Sequence, residues 1–209
     1  MGKANLEGVK NLLFDLGGVI MDIRRENCVK ALEALGVKGV GELLGDYCQA
    51  GAFLQLEEGK ISAAEFRDFI RTQCDNPLAD DQIDAAFNAF LTGIPVHRLH
   101  ELEKLKKEYR IYVLSNTNEI MFNSRIREEF EKDGKRREDY FDGICTSYEE
   151  GFAKPDPRIF EAVVRNFGIR PEETIFFDDS KANTEAAEKL GFRTWHVAPG
   201  TEFIDAFTD

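Results

Sequence analysis

The chain has 209 residues, 43% of them hydrophobic and 32% charged, enough for one well-filled core or for a core plus a small insert. Its formal net charge of -12 argues against wholesale nucleic-acid binding and against adhesion to anionic membranes, and no apolar run is long enough to span a bilayer. The cysteines Cys28, Cys48, Cys74 and Cys145 are scattered with no CxxC pair, which points away from a zinc site or a disulfide framework and toward reduced thiols in a cytoplasmic protein; the first residues carry no signal-like apolar segment.

The first element is a strand at residues 10–15. Its apolar run Leu12-Leu13-Phe14 stops at Asp15, and Gly17 and Gly18 follow, where the backbone can turn tightly and approach a ligand. Taken alone, Asp15 is equally consistent with a turn aspartate. Residues 19–23 read as a small extended flap. From about residue 24 to about residue 91 the pattern is helical, with no convincing strand. Cys28, Leu32 and Leu35 share one face ended by Gly36, and Ser62-Ala63-Ala64-Glu65 is a capping box. Ile83, Phe87, Phe90 and Leu91 recur at helical spacing. A helical stretch this long exceeds a simple crossover, so residues 22–94 are expected to form a separate helical cap, hinged at residues 17–23 and 92–95. The remainder, 1–21 and 95–209, is expected to form the core.

After Pro95 the α/β alternation resumes. A helix is predicted over 96–109, a strand over 111–114, and then the small polar run Ser115-Asn116-Thr117-Asn118. Residues 121–135 read as a mixed-charge helix and 132–139 as a solvated face or loop. A strand at 143–147 precedes Lys154-Pro155-Asp156-Pro157, in which Asp156 is an N-cap and Pro157 the first helical residue. That helix buries Ile159, Phe160, Val163, Val164 and Phe167 and ends at Gly168. A strand at 174–177 ends in Asp178-Asp179, a helix from Ser180 ends at Gly191, and a strand at 194–197 closes the pattern. The expected fold is α/β: a three-layer, Rossmann-like parallel sheet core with an inserted α-helical cap.

In a parallel sheet the C-terminal strand ends share one edge, where open α/β sheets bind ligands. Asp15, Ser115-Asn116, Lys154 and Asp178-Asp179 therefore converge, although each motif alone is more ordinary as a turn, an exposed lysine or a helix-start charge pair. Three adjacent carboxylates repel and do not all stay ionised without a cation, and an all-oxygen set favours Mg²⁺. Asp15 can be both metal ligand and nucleophile. Ser115 and the Asn116 N–H can hold phosphoryl oxygens, Lys154 can neutralise the phosphate and Asp15, and Asp178 and Asp179 can fix the metal. These are the parts that phosphoryl transfer requires.

The order FDxGG, LSN, KPD, FFDDS resembles the haloacid dehalogenase-like hydrolase superfamily, over essentially the whole chain. The resemblance implies Asp15 as the phosphoryl-accepting nucleophile, Ser115 and Lys154 at the phosphate, Asp179 as the principal metal carboxylate with Asp178 beside it, and the Gly17 carbonyl on the metal. Members usually carry a second aspartate two residues after the nucleophile as general acid and base; here that position is Gly17. Loss of a general acid costs about 10²–10⁴ in rate and is felt least with good leaving groups. The pattern also resembles the branch containing bacterial α-D-glucose-1-phosphate phosphatase, so a small sugar phosphate such as glucose 1-phosphate is the first substrate expected. The alternative is a catalytically silent phosphate-ester-binding protein. Asn183 stands where many relatives have Asp and is expected to orient Lys154 or a metal-bound water. Asp22, Glu57 and Glu58 are the carboxylates considered as substitutes for the missing acid, each weighed against a solvent-facing role. The cap loop at 55–61 is the expected specificity element. The expected partner is a small phosphorylated metabolite, with neither nucleic acid nor membrane.

Overall fold

The computed structural model describes residues 3–45 and 49–208. Its centre is a five-stranded, wholly parallel sheet of β1 (Asn11–Phe14), β4 (Arg110–Ser115), β5 (Gly143–Thr146), β6 (Thr174–Asp178) and β7 (Arg193–His196), in the order β5-β4-β1-β6-β7. Two further strands, β2 (Asp22–Ile23) and β3 (Leu91–Gly93), pair antiparallel as a small separate ribbon.

Alternation along each buried strand builds two cores. Leu12 and Phe14 point with Ile111, Val113, Ile175 and Phe177 into one face, while Leu13 points with Tyr112, Leu114 and Phe176 into the other. Helix α11 (Pro157–Phe167) covers the second face through Ile159, Phe160 and Val163, and α12 (Lys181–Lys189) through Ala187. The first face is covered by α6 (Val96–Leu105) through Leu99, Leu102 and Leu105. Phe130 of α8 (Arg127–Glu131) and Tyr140 of α9 (Arg137–Tyr140) join it. The result is the expected three-layer arrangement.

Among the described residues, the first-face core continues into five helices between β2 and β3: α1 (Arg25–Ala34), α2 (Val40–Leu43), α3 (Gly51–Glu57), α4 (Ala63–Thr72) and α5 (Asp80–Asn88). Phe53, Phe66 and Phe87 form an aromatic trio joining α3, α4 and α5, with ring centroids 4.9–5.7 Å apart. The capping box at the start of α4 is formed: Ser62 N–H donates to Glu65 Oε2 at 2.8 Å and Glu65 N–H to Ser62 Oγ at 3.3 Å. Asp156 caps α11 and Gly168 closes it.

Three expectations need correction. Leu91 is not helical: α5 ends at Asn88, and Leu91–Gly93 forms β3 because its backbone pairs with Asp22 and Ile23. The helix expected over 96–109 ends at Leu105. The stretch 121–135 is not one regular helix; a short α7 (Glu119–Met121) passes through a π-helical turn at Phe122–Ile126 before α8. Glu129 of α8 is fully buried, ion-paired to Arg125 at 2.9 Å and to Lys132, and accepts the Ile94 N–H at 3.0 Å, which anchors the return from β3 to α6. Cys28 and Cys145 are buried and Cys74 is partly so, all as free thiols; Cys48 lies outside the described residues. Among the described residues no helix is long and apolar enough to cross a membrane.

Candidate active site

Strand register decides which side chains meet. Phe14 pairs with Val113 on one side and Phe177 on the other, so Asp15, Leu114 and Asp178 stand level at the C-terminal edge, and Asp15 N–H donates to Phe177 O at 2.9 Å. Asp15, Asp178 and Asp179 each present a carboxylate oxygen within 4.8 Å of the others. Asp15 and Asp178 are buried, and Asp179 is partly so.

Lys154 lies among them, its side chain 1% exposed. Its ammonium donates to Asp178 Oδ2 at 2.7 Å and to Leu114 O at 3.0 Å, and lies 2.9 Å from Asp15 Oδ1. Phe176 supplies a ring face 5.4 Å below it. An ammonium has three donors, so a phosphate oxygen gains a hydrogen bond from Lys154 only by displacing one of these partners. Burial works against the charge on Lys154, but Asp15 and Asp178 outweigh it and hold its pKa above the ordinary lysine value.

The polar residues after β4 set this geometry. Asn116 and the Lys154 backbone exchange two hydrogen bonds: Asn116 Nδ2 donates to Lys154 O at 2.9 Å, and Lys154 N–H to Asn116 Oδ1 at 2.8 Å. The Asn116 side chain therefore orients Lys154. Ser115 is buried at the end of β4. Ser147, at the start of α10 (Ser147–Glu150), grips the next residue, accepting from Thr117 N–H and donating to Thr117 O, both at 3.0 Å.

Asp178 and Asp179 differ in kind. Both oxygens of Asp178 are engaged: Oδ2 by Lys154, Oδ1 by the Ser180 N–H at 2.8 Å and by Asn183 Nδ2 at 3.0 Å. Asn183 thus reaches Lys154 through Asp178. Asp179 instead turns toward the glycine pair. A Cβ on Gly18 would stand 2.1 Å from Asp179 Oδ2, and Gly18 has φ +75, so this close approach requires glycine twice over. Gly17 lines the cleft with Asp15, and a Cβ there would meet the apolar Ile23 at 3.4 Å.

Burial pushes the Asp15 carboxyl up to about 8; Lys154 opposes the shift, and Asp178 and Asp179 add to it. Burial and then Asp178 raise Asp179 to about 6. Crowded carboxylates, hard oxygen donors and a single lysine form a donor set that suits a hard divalent cation.

The helical insert closes over this floor. The Ala63 N–H at the start of α4 donates to Glu119 Oε1 at 2.6 Å, and Asn88 Nδ2 of α5 to Ser124 Oγ at 3.1 Å. A cleft remains, lined by Asp15, Gly17, Glu57, Asn116, Lys154 and Asp179. A second, mainly apolar cavity adjoins it under Phe53, Phe87 and Met121, sharing Glu57 and Asn116. Burial pushes Glu57 up to about 8, with Lys154 opposing and Glu58 adding.

The family model described as haloacid dehalogenase-like hydrolase matches residues 9–191. The chain belongs to the haloacid dehalogenase-like hydrolases. A D-ribitol-5-phosphate phosphatase from Bacteroides thetaiotaomicron is 36% identical to this hydrolase over 200 residues, 96% of this chain and 97% of the relative. A haloacid dehalogenase family enzyme of the same organism, solved as an Asp-to-Ala variant with magnesium and inorganic phosphate, superposes with a TM-score of 0.92 at 41% identity, covering 96% of this chain and all of that one. A haloacid dehalogenase-like family hydrolase from Porphyromonas gingivalis gives a TM-score of 0.88 at 34% identity, covering 95% and 96%.

Asp15, Gly17, Ser115, Asn116, Lys154, Asp178 and Asp179, all named from sequence, meet at this edge. Sequence reasoning missed Ser147 and Glu119, which hold the site loop and the insert. Neither lies in a motif, and only tertiary contact marks them.

Proposed function

We propose that this hydrolase is a Mg²⁺-dependent phosphomonoesterase, forming an aspartyl-phosphate at Asp15 from a small phosphorylated polyol or sugar. The observation that carries this reading is the set of three carboxylates within 4.8 Å of one another around a buried lysine, at the floor of a covered cleft. Asp15 and Asp179, with the Gly17 carbonyl, would hold the ion; the cation neutralises the carboxylates and withdraws charge from the phosphoryl group. Asp178, with both oxygens engaged, serves chiefly to hold Lys154 and reaches the ion only through an oxygen already shared. The Ser115 hydroxyl and the Asn116 N–H receive phosphoryl oxygens, and Lys154 supplies the balancing charge. Residues 22–94 act as the cap over the core of 1–21 and 95–209.

Two substrate types follow from different observations. Gly17, in place of the usual acid, favours an easily displaced anomeric ester such as glucose 1-phosphate. The 36% identical relative favours a primary polyol ester such as ribitol 5-phosphate, and its coverage of nearly the whole chain, cap included, makes this the preferred class. The test is phosphate release with Mg²⁺ from ribitol 5-phosphate, glucose 6-phosphate and glucose 1-phosphate, with a chelator and Asp15→Asn as controls. The expected result is activity on the primary esters, abolished by either control. No release from any ester, or release that survives Asp15→Asn, overturns the reading.

A further inference from the structure

A primary alkoxide is a poor leaving group and needs a proton as the P–O bond breaks. Position 17 supplies none. Of the three carboxylates that the sequence offers in place of the missing acid, Asp22 is committed to Arg98, whose guanidinium donates to Asp22 Oδ1 at 2.8 Å and is pinned by Ile20 O and Glu202. Glu58 is paired with Lys60 at 2.6 Å. Glu57 lines both the cleft above Asp15 and the adjoining apolar cavity. With phosphate over Asp15, the alcohol of an ester lies where those two spaces join. We infer that Glu57, supplied by the cap, is the general acid and base of this reaction, taking the place of the carboxylate that Gly17 lacks; the inference rests on the phosphatase reading above.

Two features hold Glu57 there. It is the last residue of α3, whose C-terminal carbonyls form the negative end of the helix and favour a protonated carboxyl. The loop that follows is seated on the core. Gly59, at φ +62, lies so close to α10 that a Cβ would stand 2.1 Å from the Tyr148 carbonyl oxygen. Among the described residues, the titratable groups around Glu57 are Asp15, Lys154 and Asp179 across the cleft, Glu58 beside it and Tyr148 beneath the loop. Its raised pKa, about 8, suits a group that both gives and takes a proton near neutral pH.

The steps balance. An Asp15 oxygen forms a bond to phosphorus as the bond to the ester oxygen breaks, and the Glu57 proton passes to that oxygen, releasing the alcohol. Water then attacks phosphorus and gives its proton to the Glu57 carboxylate. The phosphorus–Asp15 bond breaks, phosphate leaves, and Glu57 is protonated again.

The test compares wild type, Glu57→Gln, Glu57→Asp and Asp15→Asn on two esters: the alkyl phosphate hydrolysed fastest in the panel above, and p-nitrophenyl phosphate, whose phenolate leaves without a proton. For Glu57→Gln the expected result is a loss of about 10² or more in kcat on the alkyl ester. On the aryl ester a stoichiometric burst of p-nitrophenolate should precede slow turnover, because the first step survives and the second lacks its base. Glu57→Asp should recover part of the alkyl activity. A role in binding substrate hydroxyls alone would raise KM on the alkyl ester with little change in kcat, and a merely structural role would lower both esters equally with no burst; either result overturns the inference while leaving the phosphatase reading intact. If wild type hydrolyses neither ester, or Asp15→Asn remains active, the phosphatase reading fails and the role of Glu57 falls with it.

Discussion

Replacing Lys154 with Met isolates the contribution of the central cation. Methionine fills similar volume but removes a charge that is 1% exposed and bonded to Asp15, Asp178 and the Leu114 carbonyl. Asp178 is fully buried, so water cannot replace the lost partner. Breaking a buried ion pair from one side costs about 3–5 kcal/mol, and proton uptake by a carboxylate holds the loss toward the lower figure. For a chain of this length each kcal/mol lowers the melting temperature by roughly 2–4 °C, so a fall of roughly 6–20 °C is expected. Measured in chelator, this result reports folding independently of turnover. The double variant Lys154→Met/Asp178→Asn removes the stranded charge while an amide oxygen still accepts from Ser180 and Asn183. It should be more stable than the single variant, with a coupling energy of about 0.5–3 kcal/mol in a denaturant-based double-mutant cycle. A single variant melting within about 2 °C of wild type, or two strictly additive substitutions, would refute the assignment of Lys154 as the counter-charge of this cluster.

Gly18→Ala places a methyl group 2.1 Å from the Asp179 carboxylate at a positive φ; calorimetric titration should show weaker Mg²⁺ binding, and unchanged affinity would show that Asp179 does not hold the ion. Gly59→Ala drives the cap loop off the Tyr148 carbonyl, and displacement of the loop by about 1 Å is enough for about a 10²-fold loss of kcat; wild-type turnover would show that the seating of this loop does not matter. The raised carboxyls of Asp15 (about 8) and Asp179 (about 6) bind protons in the folded apoprotein that the unfolded chain, with carboxyls near 3.9, has already released. Apoprotein stability therefore falls as pH rises toward about 8. A cation replaces those protons, so the rise in melting temperature produced by Mg²⁺ should grow between pH 5 and pH 8; a constant or shrinking rise would refute the linkage.

Much of the core was legible because each buried strand announces its own end. Leu12-Leu13-Phe14 stops at Asp15, Val113-Leu114 at Ser115, and Phe176-Phe177 at Asp178, and parallel pairing then aligns those ends without further information. Local capping chemistry at Ser62, Asp156 and Gly168 was equally readable because its partners lie within a few residues. What the residues alone did not reveal depends on distant contact. Leu91 continues the helical spacing of Ile83 and Phe87, yet pairing with Ile23 makes it a strand residue. Glu129 reads as one charge in a mixed-charge helix, although it is buried against the Ile94 N–H. Lys154 is read from sequence as the partner of Asp15 and of a phosphate, and only the fold adds its bonds to Asp178 and the Leu114 carbonyl.

That commitment bears on how the site divides its work. Lys154, Asp178, Asn183 and Asn116 form one closed set of bonds on the core, so the charge proposed to meet a phosphate is fixed before any ligand arrives. The proposed proton donor, Glu57, sits instead on the inserted helices, held by Gly59 against Tyr148 and aided by the Glu119 and Ser124 contacts. A proton donor on the covering element is in position only when that element is closed, when water has also been excluded from the cleft. In the proposed mechanism, loss of the side chain at Gly17 therefore makes proton transfer conditional on closure. Substrates that hold the cap down through their hydroxyls gain in kcat as well as in KM. A free alkyl phosphate lacking those hydroxyls should be slowed in both steps, whereas p-nitrophenyl phosphate, which needs no proton to leave, should be slowed only in hydrolysis of the aspartyl-phosphate.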